Sequence, residues 1–78
     1  MNFTIYSKDG CPYCDQIKKV MNLVGLKHVV YNLGEHFCKD DFYNEFGEGS
    51  TFPQIIMGDK KLGGCKDTIA FLKEQSIL

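Results

Sequence analysis

Apolar and polar residues along the chain alternate with two different periods. Asn2 to Ser7 carries Phe3, Ile5 and Tyr6 in a short run rich in β-formers, and Lys8-Asp9-Gly10 behind it has the composition of a turn. From Pro12 the period lengthens. Cys14, Ile17, Val20, Met21 and Val24 recur three and four residues apart, which leaves Asp15, Gln16, Lys18, Lys19 and Asn22 on the wet side of a helix. Gly25 supplies its stop at the C′ position. Lys27 to Leu33 alternates again, with Val29, Tyr31 and Leu33 on one face and His28, Val30 and Asn32 on the other, the pattern of a second strand. A strand, a helix and a strand with short links make a right-handed parallel βαβ unit.

Beyond Gly34 the helical period returns in Cys38, Phe42 and Phe46, with Tyr43 beside them, so Cys38 is expected to face the core. Gly47-Glu48-Gly49-Ser50 ends that helix. Thr51-Phe52-Pro53 precedes the strand Gln54-Ile55-Ile56-Met57, where Pro53 can sit only at the first residue or on an edge because it cannot donate to a ladder. Gly58-Asp59 is a two-residue hairpin signal leading into the brief strand Lys60-Lys61-Leu62. After Gly63-Gly64, Lys66 to about Gln75 carries Ile69, Ala70 and Leu72 in a final helix. The order is βαβαββα. It predicts an α/β fold with a four-stranded mixed sheet flanked by helices on both faces.

With 78 residues the chain reads as a single domain, 1–78, since a second core would leave neither half enough apolar surface. A domain of this size buries only about 60% of its unfolded surface. No stretch approaches the roughly 20 apolar residues of a membrane span, so a soluble protein is expected. Met1 leads directly into a strand-like run without the basic stretch and apolar core of a signal peptide, which points to a reducing cytoplasm. Nine lysines, no arginine and ten acidic residues give a formal charge of −1 without long runs of one sign, and no nucleic-acid footprint emerges. Four cysteines could form the two bridges of a secreted mini-protein. The apolar periodicity suffices for a core without them, and no export signal accompanies them.

The concentrated chemistry lies in Cys11-Pro12-Tyr13-Cys14, at the mouth of the first helix. Cys11 falls at the N-cap, where its sulfur can accept from the N–H groups of Tyr13 and Cys14, and Pro12 occupies the first helical position, where a missing N–H is harmless. Cys14 faces inward one turn later. A free thiol titrates near ~8.5 and is only about 3% thiolate at pH 7, whereas thiols at helix N-termini and in Cys-x-x-Cys pairs fall to roughly 3.5–7.5. The helix dipole contributes at most about 2 kcal/mol, equivalent to roughly 1.5 pH units in a titration. A larger fall needs the N–H···S contacts and a cation, for which Lys8 is the obvious choice.

Over essentially its whole length the chain resembles the glutaredoxins, small members of the thioredoxin-fold superfamily. Four features carry the resemblance: Tyr6-Ser7-Lys8, Cys11-Pro12-Tyr13-Cys14, Thr51-Phe52-Pro53-Gln54-Ile55 and Gly63-Gly64-Cys65-Lys66-Asp67. Thioredoxins are longer and usually hold Gly-Pro between their cysteines. The resemblance implies a thioredoxin fold and a glutathione-dependent thiol-disulfide oxidoreductase, with glutathione as co-substrate and no tightly bound cofactor. It implies that glutathione lies across the four segments, its glycine carboxylate on Lys8, its sulfur on Cys11 and its flank against Tyr13. Within Thr51-Phe52-Pro53, Phe52 precedes a proline that is cis in the family and offers its backbone to the tripeptide as an extra strand. Gly64, Cys65, Lys66 and Asp67 receive the γ-glutamyl group, Asp67 taking the ammonium. Phe52 stands where the family most often has a valine, Lys66 where a small or acidic residue is common, and Gly47, Gly49 and Ser50 where many relatives have a basic residue.

On this reading Cys11 is the nucleophile and Cys14 the resolving thiol. Cys65 contributes its backbone to glutathione binding with a semi-exposed thiol, and His28 and His36, lacking partners at ligand spacing, are not catalytic bases. The partners implied are glutathione and disulfide or glutathionylated proteins, ribonucleotide reductase among them, met by a monomer. An alternative class is an iron–sulfur or metal-binding module using Cys11, Cys14 and outside ligands, since some glutaredoxins bridge a cluster between subunits. Pro12 and the lack of a second Cys-x-x-Cys weigh against it. A non-catalytic binding module is a third class.

Overall fold

Strand β1 (Phe3–Ser7) runs through the interior of the sheet because both of its edges are paired: it lies parallel to β2 (His28–Asn32) and antiparallel to β3 (Gln54–Met57). Strand β4 (Lys60–Gly63) completes the order β2-β1-β3-β4. The computed structural model describes residues 2–78, and its sheet and helices follow the βαβαββα order. Phe3, Ile5 and Ser7 are fully buried along β1, while Thr4 and Tyr6 alternate to the other face.

Helix α1 (Pro12–Leu23) buries Cys14, Ile17 and Met21, three of the positions that the sequence spacing selects. It ends as a Schellman motif. The N–H of Gly25, at φ 70°, donates to Asn22 O and that of Leu26 to Met21 O, and such a left-handed turn favours glycine. Phe3, Ile5 and Ile55 from the sheet, Ile17 and Met21 from α1, and Cys65 and Leu72 from α3 (Cys65–Glu74) form the core cluster. Helices α1 and α3 therefore share one face of the sheet. On the opposite face the Tyr6 ring meets Phe37, Phe42 and Phe46, which brings α2 (Lys39–Phe46) against that side.

Two expectations about cysteines are corrected. Cys38 is exposed and lies outside the core: α2 begins at Lys39, so Cys38 is its N-cap, with extended backbone at φ −109° and ψ 169°. A spacing of four places residues on one face only while every residue between them is helical, and the cap turns away from that face. Its thiol donates instead to Asp41 Oδ2 at 3.2 Å. Cys65, expected to be semi-exposed, is 4% exposed and belongs to the core. Because α3 begins there rather than at Lys66, Cys65, Thr68 and Leu72 form the buried face of the helix.

The remaining boundaries follow the turn chemistry. Gly58, at φ 62°, and Asp59 close the β3–β4 hairpin with Met57 opposite Lys60, and an irregularity between Ile55 and Ile56 carries β4 on to pair Gly63 with Ile55.

Candidate functional site

The site is assembled at the end of β1. The chain leaves the sheet at Ser7, turns through Gly10 at φ 68°, and enters α1 through Cys11, whose φ of −115° and ψ of 102° are those of an N-cap. Pro12 opens the helix. Cys11 and Cys14 are joined as a disulfide with their α-carbons 5.2 Å apart, within the usual span of such a bridge. The Cys14 N–H donates to Cys11 Sγ at 3.1 Å. Of the two amides expected at that sulfur, only this one donates; Tyr13 contributes its ring to the surface, 54% exposed.

The two cysteines are therefore inequivalent. Cys14 is fully enclosed and Cys11 is 5% exposed, so an incoming group can reach the pair only at Cys11. The sulfur it reaches is also the one that accepts from a helix N-terminal amide. That amide and the aligned peptide dipoles behind it stabilise negative charge on Cys11 once the bridge is opened.

Beside the pair lies a groove of about 250 Å³. Tyr13, Thr51, Phe52 and Pro53 form one wall, Gly64, Cys65, Lys66 and Asp67 the other. The Phe52–Pro53 peptide is cis, in agreement with the family resemblance. The walls approach closely at Gly64, where a Cβ would stand 3.6 Å from the Pro53 carbonyl. Asp67 Oδ2 accepts from the Gly64 N–H at 3.4 Å, which turns the carboxylate back over the start of α3. Burial pushes the Cys65 thiol above its ordinary range, so this sulfur stays protonated while it packs under the groove.

Lys8 is not part of either wall. Its ammonium lies over the Phe52 ring, 5.4 Å from the centroid, and so approaches the groove through that side chain. The sequence pattern did not show what backs Phe52: its ring stacks on Phe42 at 4.1 Å and 11°. The helical spacing of Phe42 marked it as buried but could not say against which element. The histidines lie elsewhere. His28 Nδ1 meets Leu26 O at 2.8 Å, and His36 Nδ1 accepts from the Asn32 N–H at 2.9 Å. Among the described residues no group of three or more His, Cys, Asp or Glu could hold a metal ion, and no helix is long and apolar enough to cross a membrane.

Comparison with known proteins agrees with this geometry. The family model described as Glutaredoxin matches residues 3–62. A glutaredoxin of Vernicia fordii is 30% identical over 77 residues, spanning 95% of this chain and 74% of that protein. The NMR structure of reduced Escherichia coli glutaredoxin matches with a TM-score of 0.74 and 27% identity, over 100% of both chains. The buckwheat glutaredoxin–glutathione complex shares the fold, with a TM-score of 0.79 at 22% identity, over 96% of this chain and 71% of that one.

Proposed function

Because the chain belongs to the glutaredoxin family, whose members are thiol-disulfide oxidoreductases, we propose that Cys11 is its nucleophile, Cys14 its resolving thiol and the adjacent groove its glutathione site. The observation that carries this assignment is the Cys14 N–H donating to Cys11 Sγ at the mouth of α1, beside the groove. It marks which of two neighbouring sulfurs becomes the stable anion.

Two reactions follow. With a glutathionylated protein, the Cys11 thiolate attacks the glutathione sulfur, the S–S bond to the protein breaks and the protein leaves as a thiolate. The thiolate of a second glutathione then attacks the sulfur held on Cys11, releasing oxidised glutathione and restoring the Cys11 thiolate. With a protein disulfide, Cys11 forms a mixed disulfide and releases one protein thiolate. Cys14, deprotonated, then attacks Cys11 Sγ, expels the second protein thiolate and closes the bridge seen here. Two glutathione molecules reduce that bridge and are themselves oxidised to the disulfide.

In the groove, Lys8 takes the glycine carboxylate and Tyr13 walls the thiol end. Phe52, between Thr51 and Pro53, pairs its backbone with the peptide. Gly64, Cys65 and Lys66 receive the γ-glutamyl carboxylate at the start of α3, and Asp67 its ammonium. Residues 1–78 act as one domain, as a monomer in a reducing cytoplasm, on disulfide and glutathionylated proteins, with ribonucleotide reductase among the dithiol enzymes served. Addition of oxidised glutathione to the reduced protein tests the assignment. One glutathionyl group mapped by mass spectrometry to Cys11 in a Cys14→Ser variant is the expected result, and no adduct there would end it.

A further inference from the structure

The Phe52 ring links the groove to the aromatic face of the sheet. It stacks on Phe42, which is 1% exposed and is the buried anchor of α2, and on Phe37 at 6.1 Å and 23°. The orientation of Phe52 is thus set by packing from a second element. Lys8 stands in the opposite situation. It sits in an exposed turn on a flexible four-carbon stem, and no ion pair among the described residues engages it. Its ammonium lies over the face of the Phe52 ring, 5.4 Å from the centroid.

A ring held in place presents a fixed patch of negative potential to a cation. We propose that the Phe52 side chain is a positioning residue for glutathione: buttressed by Phe42, it holds the Lys8 ammonium at the rim of the groove where the glycine carboxylate is bound. This role is separate from that of the Phe52 backbone, and it rests on the assignment of Lys8 to that carboxylate. An aliphatic side chain at this position can complete the apolar wall but offers no π face, so the lysine loses its anchor while the backbone contacts to the peptide persist.

The test compares Phe52→Leu, Phe52→Tyr and Lys8→Ala by steady-state reduction, at saturating glutathione, of a peptide that carries on its cysteine either a glutathionyl group or a γ-glutamylcysteinyl group, which lacks the glycine carboxylate. Phe52→Leu is expected to raise the KM for the glutathionylated peptide about two- to fivefold, the span of an exposed cation–π contact, with kcat unchanged. Phe52→Tyr, which keeps the ring, stays at the wild-type value. With the γ-glutamylcysteinyl peptide the ratio of Phe52→Leu to wild-type KM collapses toward one, and Phe52→Leu added to Lys8→Ala raises the KM for the glutathionylated peptide no further. An equal rise with both peptides, or additivity with Lys8→Ala, overturns the proposal, as does an unchanged KM in Phe52→Leu when Lys8→Ala raises it. An unchanged KM in Lys8→Ala instead removes the lysine–carboxylate assignment, and this proposal with it. The unsubstituted protein gives a measurement independent of any variant's folding: the Lys8 ε-methylene protons should be shifted upfield by the ring, and random-coil positions contradict the contact.

Discussion

Gly63 leaves open the space that the Asp67 carboxylate fills: a Cβ on Gly63 would stand 2.5 Å from Asp67 Oδ2. Gly63 also adopts φ 106°, a conformation that residues with a side chain rarely take. The glycine is thus what lets the carboxylate fold back over the first turn of α3. Gly63→Ala is expected to lower stability by about 1–3 kcal/mol through backbone strain and, by displacing Asp67, to raise the KM for a glutathionylated peptide. Thermal unfolding and steady-state kinetics measure the two effects. A variant with wild-type values in both assays shows that the turn and the carboxylate are independent.

The inequivalence of the two paired cysteines predicts a split between variants. Cys11→Ser abolishes both reactions. Cys14→Ser loses reduction of protein disulfides and retains deglutathionylation, which needs only Cys11 and a second glutathione. Assay of each variant on a disulfide protein and on a glutathionylated peptide separates the roles, and deglutathionylation at the wild-type rate by Cys11→Ser would remove Cys11 from the mechanism.

The two remaining thiols should differ in reactivity. Cys38 is exposed at the cap of α2, and Cys65 is buried under the groove. In the oxidised protein at neutral pH a maleimide should modify Cys38 quickly and Cys65 only after unfolding. Mass spectrometry of the partially labelled protein reports the order. Equal labelling rates contradict the burial of Cys65.

Stability should fall in alkali. Burial pushes the Cys65 thiol above the ~8.5 of a free thiol, and burial, reinforced by Glu45 and Tyr31, pushes the Tyr6 phenol above its ordinary 10.0. Both groups lose their protons more easily in the unfolded chain, so the folded state binds more protons as the pH rises through this range, and unfolding becomes easier. Stability from these groups is intact below about pH 8.5 and declines above it, first through Cys65. Denaturant midpoints across that interval, for the wild type and Cys65→Ala, measure the effect. A decline just as steep in Cys65→Ala assigns it to other groups.

Much of the fold was legible because its local signals agree. Pro12 at the first helical position, the three-and-four spacing up to Val24 and the Gly25 stop all mark the same helix, and Gly58-Asp59 marks the hairpin. The misplacements lie at helix starts. Apolar spacing does not say which residue is the first helical one, so periodicity puts Cys38 on a face it never joins and leaves Cys65 outside a helix that it opens. The groove was legible only through the family resemblance, since its walls come from three separated segments. The contacts of Phe52 with Phe42 and Lys8 join distant elements, and periodicity along one element carries no information about its partner on another.

The amide and dipole at the entrance of α1 should make Cys11 an anion at neutral pH, and titration of that thiol reads the effect. In the reduced protein, with Cys14 replaced by Ser, the thiolate absorbance and the rate of alkylation at Cys11 should follow a single titration well below the ~8.5 of a free thiol, within roughly 3.5–7.5. A titration at or above the free-thiol value would show that the helix entrance does not make this sulfur an anion.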